Sequence, residues 1–324
     1  YMLANKLPNH DDIAGLWDSG VGYTSGRWGL YFVSRLDGGL STPWILGLLS
    51  LLFLAMAAML LPELLQLKSP LFCGLAGGML AAFPTVACTF SYMFTSDAYM
   101  LAFFLAVLCA WLCGRGGWHR RAAAVGCILL SLGLYQAYLG WAVSLMTYAL
   151  LLRSLRQEAD TQRIFLDGLC DLGVLAAGVG GYIGLTRYLL PRVGIALVSY
   201  QGLDEMGRID PARIPRQLLE TYRVFFGVCG GMTGGISTTP GIRLALTACQ
   251  WLAILLIAAG AARRLAGGRW KQAGLTALLG LLMPIGINIV YLMNPGQVHS
   301  LMLYPMCMIP LVFLSQCDGW YHAF

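Results

Sequence analysis

Charged side chains are scarce in this chain: Asp, Glu, Lys and Arg make up 11% of its 324 residues, where an ordinary soluble domain carries about 25%. Hydrophobic residues make up 58%, and the mean hydropathy is +0.69. So little charge cannot both enclose a core and solvate a surface, which excludes a soluble enzyme, a disordered segment and a fibrous repeat. Cysteine motifs are missing as well. The ten cysteines form no C-x-x-C pair and no Cys/His cluster, so neither a metal site nor a disulfide framework is indicated. Cys73, Cys88, Cys109, Cys113, Cys127, Cys249 and Cys307 lie in apolar runs, where a thiol behaves as a small hydrophobe. Nucleotide-binding signatures are absent: the Gly-rich run 227–235 lacks the Lys-Ser/Thr ending of a P-loop and follows no strand. The net charge of +6 is therefore no nucleic-acid signal until the arginines are placed relative to a bilayer.

Long apolar runs are what the chain does have. A spanning helix needs about 20 mostly apolar residues, and 44–62, 71–90, 98–113, 171–190, 242–262, 273–293 and 300–316 qualify. The run 122–152 is too long for one span and is interrupted by Tyr135-Gln136, so it splits into two short helices. The expected fold is all-α, a polytopic integral membrane protein with about nine to ten transmembrane helices. The tenth is inferred to precede or overlap the start, because Tyr1 is not an initiator methionine and YMLANKL reads as the end of an apolar segment.

Basic residues then set the orientation. Lys68, Arg115, Arg120, Arg121, Arg153, Arg156, Arg163, Arg263, Arg264, Arg269 and Lys271 crowd the connections 63–70, 114–121, 153–170 and 263–272. Short loops dense in Lys and Arg stay cytoplasmic. The segments 1–43, 91–97, 191–241 and 294–299 consequently face out. Two of these are long and are expected to lie along the membrane surface. In 26–37, Trp28, Tyr31, Phe32 and Leu36 fall near helical spacing, as in an interfacial helix or a stripe packed on the spans. The second contains the amphipathic stretch DPARIPRQLLETYRVFFG.

Carboxylates are expensive in hydrocarbon and gather at headgroups or in aqueous cavities. Asp11 and Asp12 are adjacent in the first outer loop, so one carboxylate can enter a cavity while its neighbour supports it. The alternative is a solvated turn with a helix cap. Asp97 lies at the outer boundary of a span, where Ser96 or Asp97 serves as N-cap or Asp97 faces the same cavity. Arg27 and Arg35 are placed to fork a phosphate, or else to snorkel to headgroups. Tyr135-Gln136 marks the tip of a tight hairpin and either reaches a sugar or closes the turn. Asn294, Gln297 and His299 come to the same side, His299 as a site group or an ordinary surface residue.

The order of NHDD, SGRW with its interfacial helix, a long hydrophobic hairpin, FSYMFTSDAYM and SLGLYQA is similar to the GtrII-type membrane glucosyltransferases of the GT-C class. The similarity is firmest over residues 9–152; from 171 to 316 only the span layout matches. The resemblance implies a bacterial plasma-membrane enzyme of cell-envelope polysaccharide synthesis, active on the outer face. Its donor would be a polyprenyl-phosphate sugar and its acceptor a lipid-linked or surface glycan, with glucosyl transferred. Asp11 or Asp12 takes the role of base toward the acceptor hydroxyl. Arg27 is the first choice for the donor phosphate, followed by Arg35, Arg243 and His299. Trp28, Tyr92, Asp97, Tyr135, Gln136 and Gln297 are expected to line the sugar and acceptor pocket. No cofactor is implied, and a divalent metal is left open. On this reading residues 1–152 form a GT-C-like catalytic module and 153–324 a second transmembrane module carrying the outer loop 191–241. A transporter or lipid-linked sugar flippase is the competing class. It predicts ionisable groups deep in several spans and an internal repeat; the span centres are nearly free of charge, although Pro84, Pro284 and Pro305 interrupt spans. A non-catalytic envelope-assembly partner is the third.

Overall fold

The computed structural model describes residues 22–35, 42–156, 160–197, 212–227, 239–293 and 298–321. Among them every element is helical, apart from one antiparallel bridge between Gly22 and Arg27. A short α1 (Gly29–Val33) precedes the long α2 (Pro43–Leu64). α3 (Pro70–Ala82) and α4 (Pro84–Ser91) form a bent pair, followed by α5 (Ser96–Gly114) and α6 (Trp118–Leu134). α7 (Leu139–Arg156) and α8 (Thr161–Val193) come next, then α9 (Ile214–Gly227) and α10 (Pro240–Ala266). α11 (Trp270–Ile287), the one-turn α12 (Val290–Met293), a 3-10 segment Ser300–Cys307 and α13 (Met308–Tyr321) complete the order.

Proline opens α2, α3, α4 and α10, the one helical position where its missing N–H costs nothing. Pro84 also forces Phe83 into extended backbone (φ −63°, ψ 135°), as the residue before a proline must avoid the helical region. The result is a bend of 43° between α3 and α4. Seven of the described helices are long and apolar enough to cross a membrane, or eight with the bent pair counted as one span. α6, with 17 residues, is the shorter ninth segment. The chain is thus an all-α, multi-pass membrane protein. Leu172, Leu244, Leu255 and Leu281 stand exposed on its flanks, the positions that face hydrocarbon.

α5 is the central helix. Ala98, Ala102, Ala106 and Ala110 recur every four residues, and each is at most 2% exposed. Small residues on one helix face let backbones approach closely where lipid offers no hydrophobic drive to association. α2, α6 and α7 pack around α5, and the Ser131 hydroxyl of α6 donates to the Ala102 carbonyl at 2.8 Å. α8 docks on α6 through Val174, Gly178, Tyr182, Thr186 and Leu190, a buried stripe at four-residue spacing.

Several expectations need correction. The connection 153–170 is largely helical, because α8 starts at Thr161. At 1.5 Å per residue its 33 residues reach about 50 Å, well beyond a hydrocarbon core of about 30 Å. The overhanging end is held by Asp167, which pairs with Arg121 at 3.2 Å and Arg153 at 2.9 Å. The segment 300–316 begins as 3-10 helix before turning α-helical at Met308; its Pro305 has no N–H to give. Of the stripe in 26–37, Trp28 is buried and Tyr31 half-buried against the core, while Phe32 faces outward and α1 is only five residues long. Leu36 lies outside the described residues. α9 is seated on α11 by Asn288, whose amide donates to the Thr221 carbonyl at 2.9 Å, and Gln250 of α10 donates to the Phe225 carbonyl at 3.0 Å.

Candidate active site

The segment YTSGRW makes a tight loop. Ser25 N–H and Arg27 N–H both donate to the Gly22 carbonyl, at 3.0 and 2.9 Å. Gly26 takes a left-handed φ of 71°, a conformation glycine adopts without the Cβ penalty. A Cβ there would also stand 2.7 Å from the Tyr182 hydroxyl. The loop thereby turns the Arg27 side chain into the bundle end where α5, α6 and α8 meet.

Arg27 is surrounded by hydroxyls, an amide and aromatic faces. Its Nη1 donates to Tyr99 Oη at 2.9 Å and its Nε to Gln136 Oε1 at 3.4 Å. The guanidinium carbon lies 5.0 Å from the Tyr135 ring centre and 5.9 Å from that of Tyr99, and these two rings stack at 4.2 Å. Such a cation–π arrangement holds a charge without neutralising it. Burial alone would lower the guanidinium pKa, but the facing oxygens of Tyr99, Tyr135 and Tyr182 outweigh it and leave it above its ordinary value. Arg27 is a permanent cation. Among the described residues no ion pair to it is present.

Gln136 fixes the arrangement. While Oε1 accepts from Arg27, Nε2 donates to the Ser25 carbonyl at 3.0 Å and to Tyr182 Oη at 2.9 Å. Tyr182 in turn donates to the Gly26 carbonyl at 3.2 Å. Amide and phenol therefore have one consistent orientation. Trp28 closes the far side: its indole N–H donates to Thr186 Oγ1 at 3.2 Å. Gly133 admits the indole, since a Cβ there would meet the Trp28 ring at 2.5 Å. The hairpin tip is extended at Tyr135 and 3-10 over Gln136–Tyr138. The Tyr135 hydroxyl is buried with no hydrogen-bond partner among the described residues. Burial pushes its pKa well above the usual phenol value, with Arg27 opposing, so it remains a donor at working pH. Below it an aromatic column runs from Tyr135 to Tyr138 (5.0 Å), Tyr304 (6.1 Å) and Trp141 (5.0 Å).

Of the residues singled out in the sequence, Arg27, Tyr135 and Gln136 meet directly, and Trp28 packs alongside on Gly133 and Thr186. Asp97 lies in the first turn of α5, 5% exposed, two residues before Tyr99. Thr95 occupies the N-cap position, so neither Ser96 nor Asp97 is the cap. The Asp97 carboxylate sits instead at the positive end of the helix dipole. Tyr92 is half-buried and near enough to Tyr135 to act on it electrostatically. Arg35 stays apart: it is exposed, stacks on Tyr31 at 4.1 Å and donates to its hydroxyl. Arg243 is in the first turn of α10, which packs on α7, α11 and α13. His299 is exposed at the start of the Ser300–Cys307 segment. Asp11, Asp12 and Gln297 lie outside the described residues. Sequence reasoning missed Tyr99, Tyr182 and Thr186. The signal for the last two is a polar pair four apart, on one face of an otherwise apolar span.

Fold and site together define a multi-pass membrane protein with a fixed cation and convergent polar groups at one end of its bundle. The family described as Glucosyl transferase GtrII matches residues 1–314, and the chain belongs to that family. It is a membrane glycosyltransferase of the glucosyl class. No curated protein and no solved structure matches the chain.

Proposed function

We propose that the chain is a GT-C-type enzyme that moves glucose from a polyprenyl-phosphate-linked donor to a lipid-linked or surface glycan. The reaction takes place at the Arg27 end of the bundle, the outer face in the positive-inside orientation. The observation that carries the proposal is the state of Arg27, a cation braced by Tyr99, Gln136 and Tyr135 with no ion pair among the described residues. Two of its N–H groups are used in bracing, which leaves the others for an oxyanion.

The chemistry follows from those groups. The acceptor hydroxyl attacks the anomeric carbon as the carbon–oxygen bond to phosphate breaks, and the polyprenyl phosphate leaves with the bonding pair. Negative charge grows on the departing phosphate, and a prepositioned guanidinium stabilises it more in the transition state than in the ground state. The Tyr135 hydroxyl is a second donor of the same kind. The hydroxyl proton goes to Asp11 or Asp12, the base that the family resemblance assigns. Asp97, Gln136, Trp28, Tyr92 and Gln297 are the proposed sugar and acceptor lining, with Arg35, Arg243 and His299 as outlying phosphate contacts. No cofactor is assigned a role.

Purified enzyme assayed for glucosyl transfer from polyprenyl-phosphate glucose tests this. Arg27→Ala is expected to lose about 10²- to 10³-fold in turnover, and Arg27→Lys less, since it keeps charge but not the fork. One of Asp11→Asn and Asp12→Asn should lose about 10²- to 10⁴-fold. Wild-type rates in Arg27→Ala would remove the phosphate role, and wild-type rates in both carboxylate variants the base assignment.

A further inference from the structure

The opposite, basic end of the bundle holds a cleft of about 520 Å³ between α7, α10 and α13. Arg156, Arg263, Arg264 and Arg269 line it, and none of the described lining residues is acidic. Leu152, Leu155 and Leu256 form its apolar side.

Arg264 is built into the wall. It is 6% exposed and donates to the carbonyls of Gly260 at 2.6 Å, Ser154 at 2.8 Å and Leu155. The last two contacts satisfy the last turn of α7, and among the described residues no acid pairs with the charge. Its Nε is buried with no partner among the described residues. Arg156 reaches in from α7: a Cβ at Gly319 would stand 3.1 Å from its Nη2, while Nη1 donates to the Gln66 carbonyl at 3.4 Å.

Three other arginines at this end are paired with acids. Glu63 takes Arg115 in a two-pronged pair, with Nε and Nη2 each at 2.7 Å from a carboxylate oxygen, and Asp167 takes Arg121 and Arg153. The nearby Asp318 is engaged by the backbone N–H groups of Lys68 and Ser69. Positive-inside bias explains the sign of the four cleft arginines but not their convergence, because arginines that only snorkel spread apart toward water. Converging guanidinium groups beside an apolar wall suit an anion that carries a hydrocarbon chain, and the planar fork matches phosphate oxygens.

We propose that this cleft binds the phosphate headgroup of an anionic membrane lipid, with the leucine side taking the start of its chain. It shares no residue with the Arg27 site, so it stands or falls separately from the transfer reading.

The full chain, purified in detergent, is titrated with phosphatidylglycerol, phosphatidylcholine or inorganic phosphate and followed by native mass spectrometry and thermal unfolding. The wild type should retain phosphatidylglycerol about tenfold better than phosphatidylcholine and unfold at higher temperature with it, while inorganic phosphate has no effect. The double variant Arg263→Lys with Arg269→Lys keeps the charge that sets orientation and lies on exposed positions; it should lose about tenfold in phosphatidylglycerol retention. The corresponding double change to Gln should lose more. Equal retention of the two lipids, undiminished retention in both double variants, or a thermal shift reproduced by inorganic phosphate alone would each overturn the lipid assignment.

Discussion

Arg27 is held charged near a membrane with no carboxylate paired to it among the described residues. Tyr99, Gln136 and two tyrosine faces supply hydrogen bonds and quadrupole attraction in place of a counter-ion. A neighbouring Asp or Glu would lower the cost of burial but would compete with the donor phosphate for the same N–H groups. Tyr182 supports this arrangement at one remove, since it touches Gln136 and the Gly26 carbonyl. Tyr182→Phe removes both hydrogen bonds and leaves the ring packing and the Trp28–Thr186 bond in place. A net loss of about 1 kcal/mol in positioning corresponds to about fivefold. The expected outcome is a kcat lowered by that factor with the donor KM little changed, measured by steady-state transfer kinetics. An unchanged kcat would show that Gln136 holds Arg27 without help.

At the scale of elements, helix ends are satisfied by other helices. The N-terminus of α3 has no side-chain cap of its own; the Asp318 carboxylate of α13 accepts from Lys68 N–H at 2.7 Å and Ser69 N–H at 3.2 Å. A charged acceptor at a helix N-terminus gains from the dipole as well as the bonds. Asp318→Asn keeps an acceptor but loses the charge, about 0.3–1 kcal/mol. Asp318→Leu removes the acceptor from two half-buried donors, about 1 kcal/mol each. Thermal unfolding in detergent should therefore rank wild type above Asn and Asn above Leu. Elements were also the most legible part of the sequence, and Tyr135-Gln136 explains why. Two polar residues inside a run too long for one span mark a break, and the helix does break there, between Leu134 and Gln136. The 3-10 geometry of Ser300–Cys307 was not legible, because Pro305 inside an apolar run looks the same whether it kinks an α-helix or sits in a tighter one.

For the whole molecule, sidedness decides function. Low overall charge made each charged or strongly polar residue informative, so Arg27, Asp97 and Gln136 stood out beside apolar spans. Tyr99, Tyr182 and Thr186 did not, since tyrosine and threonine in a span are ordinary packing residues until their partners are known. The lateral position of a loop around the bundle also leaves no mark on the sequence. Arg243 shares an expected side with Arg27, yet the helix that carries it packs on α7, α11 and α13, whereas the segment Ser300–Cys307 next to His299 packs against the hairpin tip Gln136–Tyr138. The structure places the loop 22–35, the hairpin tip and the start of α5 at one end. The acid-bridged arginines Arg115, Arg121 and Arg153 are at the other. If the positive-inside rule orients this bundle, position 24 is extracellular and position 119 cytoplasmic, and both are exposed. Thr24→Cys and His119→Cys, each in a background with the ten native cysteines replaced, can be probed in intact cells with a membrane-impermeant maleimide. Thr24→Cys should label in intact cells and His119→Cys only after the membrane is opened. The reverse pattern would turn the bundle over, moving the Arg27 site to the cytoplasmic leaflet and the arginine cleft to the outer one. An outer-face acceptor would then be out of reach of the transfer site, even if every residue contact in it were correct.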